Sequence, residues 1–182
     1  MKIFTAIEVP EAAIKQIHPQ IYPLIRDYPG FNWFPTQNYH INLHYVGDIV
    51  REKLPIAVEH IENTLYDVPV TQMYTMGCDL FMDEHIIIYL SFYRNKIVED
   101  ISNRLFELFE PGKKRKHDFI PHVSLARLKI PSKQQYLLLK KKLANLKVKA
   151  EFDVPAIYIY ESIEKSKTPT YEKVSTIALL KE

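Results

Sequence analysis

One short pattern occurs twice in this chain. The segments YHINLHYVG, from Tyr39, and PHVSLARLK, from Pro121, each place a histidine two positions before a small polar residue that leucine follows. Both read as strands, because apolar side chains alternate with polar ones. On a strand, His40 and Asn42 share one face while Ile41 and Leu43 share the other. His122 and Ser124 likewise share a face, opposite Val123 and Leu125. Each strand therefore buries two aliphatic side chains and offers an imidazole beside a short hydrogen-bonding group. A fold that uses both must bring the two strands to one place.

The rest of the chain supplies that fold. Strand-like segments cover residues 2–9, 40–46, 68–78, 85–92, 119–125, 152–160 and 174–180. Helical spacing of apolar residues marks 11–25, 53–65, 95–109 and 132–146. Pro19 and Pro23 are expected to break or bend the first of these, because proline removes a helix hydrogen bond. Pro55 suits a first helical turn, and Asn95 and Ser132 stand at cap positions. The order is strand, helix, short strand, strand, helix, two strands, helix, strand, helix, two strands. Helices interleaved with strand pairs predict an α+β fold rather than a regular parallel sheet. No linker-like stretch divides the chain, so residues 1–182 are expected to form a single domain. Each histidine segment is a strand followed by a short turn and a helix, which suggests two pseudo-repeated lobes sharing a cleft.

Composition removes several function classes. Cys78 is the only cysteine, so no internal disulfide and no cysteine-based zinc site can form. No stretch reaches the ~20 apolar residues of a membrane span, and the amino-terminal apolar run is too short for a signal peptide. A cytoplasmic, reduced protein is the simplest expectation. The net charge of +2 does not by itself indicate a polyanion partner, but GKKRKH at 112–117 and LKKKL at 139–143 concentrate positive charge. Nothing resembles a heptad seam, so a monomer with no obligate protein partner is expected.

Two histidines with two short polar groups suit phosphate chemistry without a metal or other cofactor. Imidazole titrates near ~6.5, so one ring can accept a proton while another donates one. A neighbouring hydroxyl or amide can donate to non-bridging phosphate oxygens. A lone strand histidine is usually structural; the repetition carries the argument.

At these residues the sequence resembles the two-histidine (2H) phosphoesterase superfamily, and within it the LigT-type RNA 2′,3′-cyclic phosphodiesterases. IFTAIEVP is similar to the family's opening strand, and FNWFPTQNYHINLHYVGDI to its tryptophan, loop and first motif. FIPHVSLARLK is similar to the second motif, and IYIYESIEKSKTPTY to the closing segment. The resemblance implies a bilobal α+β fold: two antiparallel sheets form a central cleft, with helices packed on the outer faces. It implies hydrolysis of an RNA or oligonucleotide 2′,3′-cyclic phosphate end to a 2′-phosphate, with no metal and no cofactor. By position, His40 and His122 would be the catalytic imidazoles; the resemblance leaves open which is base and which is acid, and the assignment adopted is His122 as base on water and His40 as acid on the departing O3′. Asn42, Ser124 and Arg127 would contact phosphate. Asn42 departs from the family's threonine or serine; its amide can still donate to a phosphate oxygen, with a longer reach. The same site could instead serve a 2′–5′ oligonucleotide or another cyclic nucleotide, with 2′–5′ ligation as the reverse reaction. A non-catalytic RNA-binding relative, with Asn42 marking a decayed site, is a further alternative.

Other residues carry a bland reading beside the functional one. On an ideal strand His44 faces the same side as His40, so it lines the cleft or stays a solvent-exposed spectator; no glutamate accompanies it to make a helical metal motif. Arg127 follows Ser124 by three and would face away on an ideal strand. Lys114, Arg115 and Lys116 lie in a basic loop sited to hold phosphates flanking an RNA end, or are simply solvated. Trp33 is either a packing residue or a stacking platform for a base. Tyr171 either contacts substrate or packs at the start of the last strand. Cys78 is expected to behave as a small buried apolar group.

Overall fold

The computed structural model describes residues 1–82, 85–129, 132–163 and 169–181. Residues 164–168, within the closing segment IYIYESIEKSKTPTY, lie outside the described residues. The described elements run β1 (Lys2–Glu8), α1 (Glu11–Asp27), β2 (Asn32–Trp33), β3 (His40–Asp48), α2 (Leu54–Leu65), β4 (Thr71–Met82), β5 (Ile86–Phe92), α3 (Lys96–Phe109), β6 (His122–Leu128), α4 (Lys133–Ala144), β7 (Glu151–Val154), β8 (Ala156–Ile163) and β9 (Thr170–Ala178).

The strands form two antiparallel sheets, ordered β3-β1-β8-β9 and β2-β6-β5-β4-β7. The α+β expectation holds. The two histidine strands occupy like places: β1, α1 and β3 in one sheet match β5, α3 and β6 in the other, and each histidine opens the later strand.

Burial explains why these segments form these elements. β1 is enclosed on both faces, with Ile3 to Ile7 all buried, so it reads as a continuous apolar run broken only by Thr5. The Thr5 hydroxyl donates to the His44 carbonyl at 3.2 Å. α1 runs unbroken through its prolines, so of the expected break or bend the break does not occur. Ala13, Ile17, Ile21 and Leu24 form its buried stripe, while Pro19 and Pro23 are exposed on the other side. The missing hydrogen bonds therefore fall on the solvent side, where a carbonyl left over can meet water, and the buried stripe holds the helix through.

The segment 152–160, read as one strand, is two. Pro155 separates β7, which pairs with β4, from β8, which pairs with β1, so the chain changes sheets at a residue that cannot donate to either ladder. The chain end then ties the sheets together. The Val70 amide donates to the Leu180 carbonyl and the Leu180 amide to the Val68 carbonyl, both at 2.9 Å.

Both histidine strands contain a one-residue bulge at the same place. In the β1–β3 ladder, Thr5 opposes His44 while Ala6 opposes Asn42, leaving Leu43 as the extra residue. In the β5–β6 ladder, Ile88 opposes Ala126 while Tyr89 opposes Ser124, leaving Leu125 extra. Leu43 and His44 are consequently both buried, as are Leu125 and Ala126. Beyond each bulge the strand's faces are exchanged.

α3 begins where Asn95 caps it. The Asn95 side-chain oxygen accepts from the Ile97 and Val98 amides at 3.0 and 3.1 Å, and its amide donates to Thr71 Oγ1 and the Gln72 carbonyl, both at 2.9 Å. One side chain thus fixes the helix start to β4. Asn95→Ala is expected to cost ~1–2 kcal/mol of stability, read as a lower urea midpoint with an unchanged slope.

Candidate active site

The two histidines line one cavity of about 1030 Å³. They are not turned apart, and no packed core separates them. Each ring is half-buried at the start of its strand. His40 Nδ1 lies 2.7 Å from the Asn38 carbonyl, and His122 Nδ1 lies 2.7 Å from the Ile120 carbonyl. A carbonyl only accepts, so Nδ1 carries the hydrogen in each neutral ring and Nε2 is left for a reactant.

Aromatic rings fix the imidazoles further. The Phe4 and Tyr171 rings stand 5.1 and 5.0 Å from His40. The Phe81 and Tyr89 rings stand 5.0 and 5.4 Å from His122, edge-on. Burial against these rings disfavours imidazolium and holds both histidines below their usual pKa. The backbone contact to Asn38 partly opposes this at His40, and the charge of His122 adds to it; the contact to Ile120 opposes it at His122. The arrangement can therefore supply one neutral and one protonated imidazole to a group bound between them.

Asn42 and Ser124 line the same cavity, as their positions two residues beyond each histidine require. Arg127 lines it as well, which ideal alternation would forbid; the bulge at Leu125 turns it back to the histidine face. Tyr171 lines the cavity too. Burial raises its phenol pKa, with Arg127 opposing the shift.

The mirror-image bulge in β3 has the opposite consequence. It turns His44 away from the cleft, so neither reading of His44 as cleft-lining nor as exposed holds. Its ring is buried, stacked on Phe109 at 5.6 Å, and Nε2 has no hydrogen-bond partner among the described residues.

The basic loop divides in the same way. Lys114 and Lys116 are exposed and are not among the cavity's lining residues. Arg115 reaches the cavity wall, but its guanidinium is not a free phosphate contact. It lies 4.7 Å from the centre of the Phe106 ring and donates to the Ser102 carbonyl and, at 3.0 Å, to Ser102 Oγ. Trp33 is a packing residue. Its indole donates to the Tyr28 carbonyl at 2.9 Å and packs against Phe31, and Phe34 rather than Trp33 lines the cavity. Cys78 is buried, which pushes its thiol to about 12.

Sequence reasoning did not single out Asn38, whose carbonyl orients His40 and whose side chain donates to the Pro169 carbonyl at 3.0 Å. It also passed over the cavity residues Phe81 and Asp118, and took His117 only as the end of the basic run 112–117. Only their place before or opposite a histidine strand could have signalled them. Among the described residues, no group of three His, Cys, Asp or Glu side chains is placed to hold a metal ion.

The chain is similar to known proteins over most of its length. A family model described as the 2′-5′ RNA ligase superfamily matches residues 9–165. An RNA 2′,3′-cyclic phosphodiesterase of Methanocaldococcus jannaschii is 24% identical over 178 residues, covering 96% of this chain and 98% of that protein. One of Thermotoga maritima is 26% identical over 145 residues, covering 76% of each. The crystal structure of Escherichia coli LigT in its apo form superimposes with a TM-score of 0.74 at 16% identity, covering 98% of this chain and 96% of that one.

The buried His44 has a consequence for stability. Burial lowers its folded-state pKa, with Glu110 opposing and Arg115 adding to the shift, so below the unfolded value of ~6.5 the unfolded chain binds more protons. Stability is therefore present above that value and is lost as pH falls through the folded value. His44→Phe keeps the stack on Phe109 and removes the titration. Its urea midpoint should fall less than that of the parent between about pH 7 and pH 5, with His40 and His122 leaving a residual decline.

Proposed function

Because the chain belongs to the 2′-5′ RNA ligase superfamily, we propose that it hydrolyses RNA 2′,3′-cyclic phosphate ends to 2′-phosphate ends, using His122 and His40 as a general acid–base pair. The observation that carries this reading is the pair of imidazoles on one cavity, each with Nδ1 on a backbone carbonyl. One Nε2 takes a proton from water as its oxygen attacks phosphorus. The P–O3′ bond breaks, and the other Nε2 protonates the departing O3′. We give the first role to His122 and the second to His40. Asn42, Ser124 and Arg127 donate to the non-bridging oxygens, where charge grows in the transition state. The curated relatives with this name, over most of their length, support the same chemistry.

The reading extends to the setting. Residues 1–182 act as one domain of two pseudo-repeated lobes, supported by the matching β1-α1-β3 and β5-α3-β6 units. The protein works as a cytoplasmic monomer on RNA ends, which fits an unpaired, buried Cys78. No helix of the described residues is long and apolar enough to cross a membrane.

The test is a substrate panel of a 2′,3′-cyclic mononucleotide, cyclic-phosphate-ended RNAs and 2′–5′ dinucleotides, assayed with a chelator present. Hydrolysis of the first two, with the 2′-phosphate as product, is expected. Preference for the 2′–5′ linkage would move the substrate, and binding without turnover would remove the catalysis. His40→Ala and His122→Ala should each lower turnover by ~10²–10⁴ with the fold intact. The profile of kcat/KM against pH should be bell-shaped. Since burial lowers both imidazoles, its centre should lie on the acid side of ~6.5.

Asn42→Thr tests the departure from the family pattern. It should retain or raise turnover, because a hydroxyl two residues after His40 supplies the same donor. Collapse of turnover in a folded variant would show that the carboxamide has its own role.

A further inference from the structure

A second cavity, of about 620 Å³, lies on the other side of Arg127. It shares two wall residues with the first, Asn32 and Arg127, and these oppose each other across β2 and β6. The partition between the cavities is thus a guanidinium beside a carboxamide, both at exposed positions. Beyond it the walls turn apolar. Tyr28 and Phe31, stacked at 4.8 Å, stand with Leu128 and Leu139, while Lys129 and His85 add basic groups.

We propose that this second cavity is a subsite for the nucleoside adjoining the reacting one, so that the enzyme selects an RNA strand end over a mononucleotide. The inference rests on the phosphodiesterase reading above. Its argument is the polarity of the partition. Two cavities that share a wall accommodate two linked units, and here the link must cross a planar cation and an amide. A phosphodiester matches both: it accepts from the amide N–H, and Arg127, with five N–H donors, can serve it from one edge while another edge meets the reacting phosphate. The aromatic and aliphatic walls then face a base and ribose, while Lys129 stands near the continuing backbone. An apolar ligand would leave the cationic partition buried without a counterpart, and a mononucleotide would leave the second cavity unfilled.

Gly30 offers a clean test. It lines only the second cavity, its backbone is not left-handed, and no atom lies within 4 Å of a Cβ built there. Gly30→Leu should therefore fold normally and add bulk at the wall of the second cavity without touching the catalytic pair. The measurement is kcat/KM on 2′,3′-cyclic AMP and on a trinucleotide ending in a 2′,3′-cyclic phosphate. The parent protein should favour the trinucleotide by about tenfold or more, the worth of one stacked base. Gly30→Leu should lose that advantage and leave the mononucleotide rate unchanged. Equal efficiency on both substrates in the parent protein overturns the proposal, as does an equal loss on both in the variant. Absence of turnover on either substrate would count against the phosphodiesterase reading instead. Fluorescence anisotropy with a labelled trinucleotide ending in a 2′-phosphate, competed by 2′-AMP, then decides the subsite. Weaker binding of the trinucleotide alone in Gly30→Leu sustains it, and equal weakening of both rejects it.

Discussion

A β-strand sends its side chains in two opposite directions, and the candidate site depends on that alternation slipping at the same place in each of two strands. The slip falls three residues after His40 and three after His122, at Leu43 and Leu125. In β6 it brings Arg127 round to the histidine face, adding a cation where phosphate would sit. In β3 it takes His44 off that face and into the core. The same backbone device gives the cleft the Arg127 guanidinium and withholds the His44 imidazole from it.

A bulge also leaves a backbone group outside the ladder, and the surrounding structure must satisfy it. Ser102 does this in β3: its hydroxyl donates to the Leu43 carbonyl at 2.7 Å from the buried face of α3. The same oxygen accepts from Arg115, on the loop that leads into β6. The irregularity in one histidine strand is thus pinned to the approach of the other through a single hydroxyl that uses both its donor and its acceptor. The histidines are oriented by equally economical means. A backbone carbonyl fixes each ring without bringing a negative charge, whereas a carboxylate in that place would raise the imidazole pKa and repel an anionic substrate. Burial against Phe4, Tyr171, Phe81 and Tyr89 then favours neutral rings in the free protein.

Much of this was legible in the sequence, because period-two and period-3.6 patterns report burial directly. Strands β1, β3 and β5 and the helix caps Asn95 and Ser132 stand where patterning placed them. His40, Asn42, His122 and Ser124 share a cavity because they precede the bulges, where ideal alternation still applies. His44 and Arg127 follow the bulges, and each takes the face opposite to the one alternation assigns. Register slips are set by the partner strand and leave no local signature. The prolines of α1 misled for a related reason. Proline acts on backbone hydrogen bonds, but whether a helix survives it depends on which side the loss falls, a matter of packing. The division of 152–160 at Pro155 was likewise invisible until the two halves had different neighbours.

The order of strands in the histidine sheet bears on how the chain is made. β1 pairs with β3 on one side and with β8 on the other, so it waits for a strand synthesised much later. Until β8 emerges from the ribosome, one edge of a nearly wholly apolar strand stays open, a template for pairing with another nascent chain. Such distant contacts slow the search for the native topology, since the loop between them must close before any bond across it forms. Completion of this sheet therefore follows synthesis of all that lies between β1 and β8, and until then the open edge of β1 is a site for misassembly.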